Sequence, residues 1–198
     1  MKPWIPLIVY LCVQCITPGP NNLTCLYLGA SRGLKGTSSF LAGSMSALFV
    51  KALLCGMFNL VLSSVLPATV TVLKWAGAAY MIYLAILMAR SGWTDPEKED
   101  DGKVFSGSTV RDGVMLQLLN GKSWIVSVSM FAVYVLPVSR RFSAVLFAVL
   151  LFVILAAVSS LIWAAFGAGL QKLIAGYRKP FGILMGLSLL WCAITALL

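Results

Sequence analysis

The stretch Thr17-Pro18-Gly19-Pro20-Asn21-Asn22 interrupts the first apolar segment, which otherwise runs from residue 4 to residue 30. Each proline removes a backbone donor and clashes with the preceding turn, so a continuous helix cannot pass through the stretch. At membrane depth, irregular backbone survives only where protein buries it or where it lines a wet cavity. Such breaks hold substrates in transport folds, because the ends of half-helices direct partial charges at the ligand. A Pro-kinked helix without a ligand is the alternative, but this polar cluster has no reason to face lipid.

The composition places the chain in the lipid bilayer. Of its 198 residues, 60% are hydrophobic and 11% are charged, with a mean hydropathy of +0.95, whereas about 25% of the residues in a soluble domain are charged. This leaves no room for a soluble catalytic domain, so we do not expect an enzyme. The chain has no histidine, the commonest metal ligand, and we expect neither a metal nor a cofactor. The net charge of +9 lies in the connectors, where positive-inside bias explains it better than nucleic-acid binding does.

Six apolar segments follow one another, at about residues 4–30, 38–64, 69–90, 113–137, 142–168 and 180–198. Each approaches or exceeds the roughly 20 residues that cross a hydrocarbon core. We therefore predict an all-α integral membrane protein in which residues 1–198 form a single domain of six transmembrane helices.

The chain divides into two halves, residues 1–90 and 113–198, joined by a charged linker at 91–112 that contains every acidic residue. The second half weakly repeats the first at an offset of about 105 residues. Lys74-Trp75-Ala76-Gly77 corresponds to Lys179-Pro180-Phe181-Gly182, and the first break corresponds to Gln117-Leu118-Leu119-Asn120-Gly121-Lys122-Ser123. Since three spans per half force opposite orientations, this predicts a 3+3 inverted repeat whose discontinuous first and fourth helices meet near the midplane.

The basic residues predict the orientation of the chain. Connectors one, three and five carry Arg32, Lys35, Arg90, Lys98, Lys103, Arg111, Lys172, Arg178 and Lys179; the opposite face carries Lys2, Lys74, Arg140 and Arg141. The positive-inside rule therefore places connectors one, three and five in the cytoplasm and both termini outside.

These features resemble the lysine exporter and homoserine/threonine exporter (LysE/RhtB-type) family. The resemblance rests on the motif Thr17–Asn22, the following Gly29, Gly33 and Gly36, Leu41-Ala42-Gly43, Lys74-Trp75-Ala76-Gly77-Ala78-Ala79-Tyr80, and Asn120-Gly121-Lys122, where members usually have Asn-Pro-Lys. Within the family, the pattern most resembles the cysteine and O-acetylserine exporters. The resemblance implies efflux of amino acids across a bacterial inner membrane, driven by the proton motive force. Gly121 in place of proline makes the second break softer than in the family pattern.

The two breaks supply the predicted substrate site, which consists of Thr17, Pro18, Gly19, Pro20, Asn21, Asn22, Asn120, Gly121 and Lys122. No carboxylate lies within a span apart from Asp112 at the edge of the fourth, so a cationic substrate would lack a counter-charge. A small zwitterionic, neutral amino acid fits better. Its carboxylate would face the half-helix N-termini and Lys122, and its ammonium the exposed carbonyls and the asparagines.

Two lysines lie inside predicted spans, Lys51 in the second and Lys122 in the fourth. An intramembrane lysine is costly and usually faces a cavity or a partner. Lys122 either meets the substrate carboxylate or ties down carbonyls of the broken helix. Lys51 is more simply interpreted as a snorkelling or water-facing lysine. With no Asp, Glu or His in the spans, Lys51 and Lys122 are the candidates for proton coupling; the alternative is a uniporter.

Two other functions stay open. Cys12-x-x-Cys15 before the first break is compatible with a membrane thiol–disulfide electron carrier, although the fourth segment has no cysteine. A passive channel is the other alternative. A homo-oligomer also stays open, because Gly182-x-x-x-Gly186 offers a small-residue face, but packing within the chain is the simpler use of these glycines.

Overall fold

The computed structural model describes residues 4–91 and 109–197, and every element in these two ranges is helical. Residues 92–108 of the predicted linker, with five of the six acidic residues, lie outside the described residues, as does Lys2. The helices are α1 (Trp4–Ile16), α2 (Pro20–Met57), α3 (Asn59–Ser91), α4 (Val110–Leu119), α5 (Gly121–Ser129, continued by a π-helix at Met130–Val135), α6 (Phe142–Gly169), α7 (Gln171–Ile174, followed by a 3-10 turn at Ala175–Tyr177) and α8 (Arg178–Leu197).

The helix lengths and compositions fit a membrane protein. Within the described ranges, α2 and α6 are long and apolar enough to cross a bilayer, and α4 with α5 and its π-helical continuation forms a third candidate, bent by 63°. Large apolar side chains such as Ile154 and Trp191 lie on the surface, 58% and 67% exposed, as lipid-facing side chains do. The arrangement of six spans as two inverted halves remains a prediction.

The predicted first connector, residues 31–37, contains a tight reversal of the chain at Gly33, which has φ 71° and ψ −179°. Ser44 Oγ donates to Asn21 Oδ1 at 2.7 Å, whereas residues 23 positions apart in a continuous helix would be about 34 Å apart, so the two parts of α2 fold back on each other at Gly33. Glycine reaches this conformation without a steric penalty because it has no Cβ. Thr37 Oγ1 donates to the Gly33 carbonyl oxygen at 2.9 Å. The turn therefore needs only Gly33 and this one side-chain hydrogen bond.

The predicted second connector, at residues 63–69, was placed too late in the chain. The chain turns at Phe58 (φ −114°, ψ 25°), and α3 runs from Asn59 through Pro67. Asn59 is buried, and its Nδ2 donates to the Val128 carbonyl oxygen of α5 at 3.2 Å. This polar contact fixes the turn, and long membrane helices tolerate an internal proline.

Two apolar clusters form the core, and each broken helix contributes to both. Leu11 of α1 and Val126 of α5 belong to the first cluster, whereas Leu26 of α2 and Leu116 of α4 belong to the second. The chain passes from one cluster to the other at each break. The polar residues of the breaks therefore lie where the two clusters meet.

Glycines allow the closest helix contacts. A Cβ on Gly29 would lie 2.1 Å from the Ala164 carbonyl oxygen of α6, and one on Gly167 would lie 2.1 Å from the Leu26 carbonyl oxygen of α2. Neither position can hold a larger residue without separating the helices, which is the use of small residues in membrane packing. Gly186 packs against α3 in the same way, so it serves contacts within the chain.

Candidate functional site

The first break lies between α1, which ends at Ile16, and α2, which begins at Pro20. The last carbonyls of α1 have no helical partners, and side chains satisfy them instead. The Cys15 carbonyl oxygen accepts from Asn22 Nδ2 at 2.7 Å and from Ser159 Oγ at 2.7 Å. Asn22 Nδ2 also donates to the Thr17 carbonyl oxygen at 3.1 Å. The asparagine therefore holds the two sides of the break together.

The second break lies between α4 and α5, at Asn120. Here Lys51 Nζ donates to the Gln117 carbonyl oxygen at 2.9 Å, and Trp124 Nε1 donates to the Leu118 carbonyl oxygen at 2.7 Å. As at the first break, side chains satisfy the carbonyl end of the helix that stops.

The N-termini of the helices that begin after the breaks are not capped by side chains. Gly19 precedes α2 and Asn120 precedes α5, and neither caps its helix with a side-chain hydrogen bond. The first N–H groups of a helix carry partial positive charge and bind anions when no cap occupies them. Both breaks therefore present an uncapped positive helix end.

The two breaks contact each other through Lys122. Its Nζ donates to Thr17 Oγ1 at 2.8 Å and approaches the Thr17 carbonyl oxygen at 3.4 Å. These two positions are 105 residues apart, the same offset that relates Lys74 to Lys179. Lys122 also lies over Gly19, where a Cβ would be 3.8 Å from Nζ. The cation thus lies beside the uncapped end of α2.

Two cavities adjoin this contact, with volumes of about 60 Å³ and 410 Å³. The residues that line both are here called the shared wall: Gln14, Gly19, Asn120, Lys122 and Val126. The smaller cavity has room for about two waters, at roughly 30 Å³ each, and the larger one has room for a small amino acid. The breaks therefore separate two cavities, and only the larger of the two could hold an amino acid.

Asn21 is fixed by contacts within the protein. Its Nδ2 donates to Ser160 Oγ at 2.9 Å, and its Oδ1 accepts from Ser44 Oγ at 2.7 Å. Gln117 Oε1 lies 3.5 Å from the same Ser44 hydroxyl. This network joins the start of α2 to α6, to the far part of α2 and to α4.

Other polar side chains of the shared wall face the cavities without a protein partner. Within residues 4–91 and 109–197, the side chains of Gln14 and Asn120 make no hydrogen bond to protein, and no polar side-chain atom is both fully buried and unpaired. Their amide groups are therefore open to a ligand. The described residues contain no group of His, Cys, Asp or Glu that could hold a metal ion.

Every residue of the predicted substrate site lines at least one of the two cavities, so the structure brings the two predicted stretches together. The expectation that Lys51 is a snorkelling or water-facing lysine is wrong. Only 1% of Lys51 is exposed, and the residue lines neither cavity. Its ammonium is instead buried against the second break.

Sequence reasoning missed Gln14, Ser44, Gln117 and Ser160. The hydrogen-bond partners of Ser44, Gln117 and Ser160 lie up to 139 positions away, and Gln14 is placed by the cavities it lines, so no local pattern marks these residues. A usable signal did exist, since each is a polar residue within an apolar segment. Cys12 is exposed and Cys15 lines the smaller cavity, and both are free thiols.

Comparison with known proteins identifies the family. The profile described as LysE type translocator matches residues 12–198. The chain belongs to the LysE-type translocator family. This confirms the resemblance drawn from Thr17–Asn22 and the later motifs, and a family of translocators fits the expectation that the chain is not an enzyme.

The translocator is 31% identical over 185 residues to proteins named cysteine/O-acetylserine efflux protein. Examples come from Escherichia coli (strain K12), Escherichia coli O139:H28 (strain E24377A / ETEC) and Shigella sonnei (strain Ss046). In each case the match covers 93% of this chain and 92% of the relative. No solved structure matches the translocator.

Proposed function

We propose that this translocator exports small neutral amino acids or their derivatives, such as cysteine, O-acetylserine or a threonine- or homoserine-like compound, from the bacterial cytoplasm. The observation that carries the proposal is the meeting of two uncapped half-helix N-termini at Lys122, between two cavities. The names of the relatives support the choice of substrate.

The substrate carboxylate binds at the N-termini of α2 and α5 and at Lys122 Nζ. Each of these supplies N–H donors and positive charge. The ammonium binds the amide oxygens of Gln14 and Asn120 and carbonyls at the breaks, around Pro18 and Gly121. Recognition of both charged groups within one site selects a zwitterion.

A cationic side chain finds no counter-charge in this site. Asp112 is the single acidic residue in the described ranges, and its carboxylate accepts from the Thr109 backbone N–H at 3.1 Å, at the start of α4. It therefore caps a helix away from the breaks. This supports neutral amino acids over lysine or arginine as substrates.

Transport proceeds by alternating access around the shared wall. The protein forms six spans in a 3+3 inverted repeat in the inner membrane, with connectors one, three and five in the cytoplasm. Rocking of one half against the other opens one cavity and then the other. The Lys122–Thr17 contact crosses between the two breaks, so it must rearrange during each cycle.

Proton coupling is assigned to Lys122 ahead of Lys51, because Lys122 lines both cavities and Lys51 lines neither. Purified protein in proteoliposomes should acidify or alkalinise the lumen when substrate is added. Lys122→Met should abolish this pH change. Its persistence would remove Lys122 from coupling.

The decisive experiment is efflux from cells preloaded with cysteine, O-acetylserine, threonine, leucine or lysine. Asn21→Ala and Lys122→Ala are compared with wild type and with Lys172→Ala, which removes an exposed lysine far from the breaks. We expect both site variants to lose efflux of a neutral amino acid selectively, while Lys172→Ala keeps it. Unchanged efflux of all five compounds, with the variants present in the membrane, would reject the proposed site. A flux that does not saturate with substrate would indicate a passive channel.

A further inference from the structure

Lys51 places a buried amino group beside the second break, and no acidic residue in the described ranges contacts it. Its Nζ donates to the Gln117 carbonyl oxygen and to Ser123 Oγ, and it lies 5.4 Å from the centroid of the Trp124 ring. A carbonyl at a helix C-terminus, a hydroxyl and the face of an indole ring are all partners that attract a cation. The ammonium is therefore stabilised by dipoles and by a ring quadrupole.

These partners lie on both sides of the second break. Gln117 is in the last turn of α4, and Ser123 and Trp124 are in the first turn of α5. Between them, at the 63° bend, the backbone of Asn120 has no helical continuation. Lys51 therefore bridges the two helix ends, alongside the Trp124 contact with Leu118 and the Ser123 contact with the Asn120 carbonyl oxygen.

The bridge reaches the site indirectly. Gln117 and Ser123 line the smaller cavity, and Asn120 and Lys122 belong to the shared wall, but Lys51 lines neither cavity. A change in the bend would shift the N-terminus of α5 and the Lys122 ammonium together. Misplacement of binding groups by about 1 Å can cost on the order of a hundredfold in rate.

We propose that Lys51 is a positioning residue, whose ammonium holds the bend at Asn120 in the geometry that presents the α5 N-terminus and Lys122 to the substrate carboxylate. The role rests on the proposed function, because it requires a carboxylate at this site. It differs from proton coupling in that Lys51 acts through hydrogen bonds to the break and does not exchange protons with either cavity.

The test measures carboxylate recognition as a ratio. Transport of labelled cysteine into inside-out membrane vesicles is inhibited with unlabelled cysteine or with cysteamine, which lacks the carboxylate, under reducing conditions. The ratio of the two half-inhibitory concentrations does not depend on the amount of active protein. A merely structural loss would therefore lower the rate and leave this ratio unchanged.

We expect wild type to favour cysteine strongly, and Lys51→Met to reduce that preference by about tenfold or more. Lys51→Gln keeps a donor for the Gln117 carbonyl oxygen and should recover part of the preference. Lys35→Met, which removes an exposed lysine from the same helix, should match wild type. Ser123→Ala removes the α5 acceptor of Lys51, together with the Ser123 Oγ hydrogen bond to the Asn120 carbonyl oxygen, but it keeps the Lys51 contact with Gln117. It should give a smaller loss, which provides the test if Lys51→Met does not reach the membrane.

The outcomes separate the two proposals. If Lys51→Met keeps the wild-type preference for cysteine, the positioning role alone is rejected. If Lys51→Met is absent from the membrane, the same result in Ser123→Ala rejects it. Equal losses in Lys51→Gln and Lys51→Met would show that a neutral donor cannot replace the ammonium, which supports the role of the charged group in holding the bend. A wild-type protein that does not distinguish cysteine from cysteamine would reject the carboxylate site, and the role of Lys51 with it.

Discussion

At the scale of single residues, Asn22 shows how a polar side chain in a membrane segment is used. Its amide group donates to the Cys15 and Thr17 carbonyl oxygens, which have no partners within α1 because the helix stops there. Only 7% of the residue is exposed. The main use of Asn22 is therefore to close the end of α1, and it shapes the site more than it contacts the substrate.

Asn22→Ala should destabilise the protein measurably. Leaving these buried acceptors with fewer donors costs about 1–3 kcal/mol, which corresponds to a fall in Tm of roughly 2–12 °C for a chain of this size. Thermal unfolding in detergent checks this, with Ser38→Ala as the control because its hydroxyl binds an exposed carbonyl. An unchanged Tm for Asn22→Ala would contradict the closing role.

Sequence reasoning identified the residues of the breaks but not all of their partners. Proline and glycine act on their own backbone, so Pro18, Gly19 and Pro20 predict a break without any tertiary information. The placement of Lys51 depends on Gln117, 66 residues later, and nothing near Lys51 in the sequence indicates such a partner. A buried lysine and a snorkelling one have the same local pattern.

At the scale of elements, α2 shows how short a predicted connector can be. Its 38 residues include a stretch with two basic residues and two glycines that indicates a loop. The structure places the change of direction in Gly33 alone, in a region of φ and ψ that essentially only glycine occupies. By contrast, α6 at Phe142–Gly169 agrees closely with the predicted 142–168, because its flanking segments are clearly polar.

Gly33→Ala should destabilise the turn in α2. A residue with a Cβ at φ 71° and ψ −179° is strained by about 1–3 kcal/mol, although the nearest atom to the added Cβ, in Gln171, is 3.9 Å away. The strain is therefore conformational. Gly169→Ala is the matched control, since it has open space and no positive φ. A lower Tm in detergent for Gly33→Ala alone is expected, and equal Tm values would contradict the prediction.

At the scale of the whole molecule, the distribution of basic residues predicts how the chain lies in the membrane. The connectors assigned to the cytoplasm hold nine Lys and Arg residues against four on the other face. An asymmetry of this kind sets the orientation when it lies in short loops close to the spans. Both termini should then face the periplasm.

A C-terminal fusion should reveal this orientation. Alkaline phosphatase, which is active only outside the cytoplasm, should be active at the C-terminus, and green fluorescent protein should stay dark there. The same two reporters fused within the linker at 91–112 should give the opposite pattern and serve as the internal control. Fluorescence at the C-terminus would reverse the orientation or change the number of spans.

The crosswise lysine contacts also constrain the order of events during synthesis. Lys51 closes a break that contains Gln117, and Lys122 reaches back to Thr17. When the ribosome has completed the first three apolar segments, none of the final partners of the Lys51 ammonium has been synthesised. Lys122, which contacts Thr17, follows it by 105 positions. An intramembrane lysine costs about 2.5–3.5 kcal/mol on insertion scales. We therefore expect the second apolar segment to reach its final depth in the bilayer only after the second break has been synthesised.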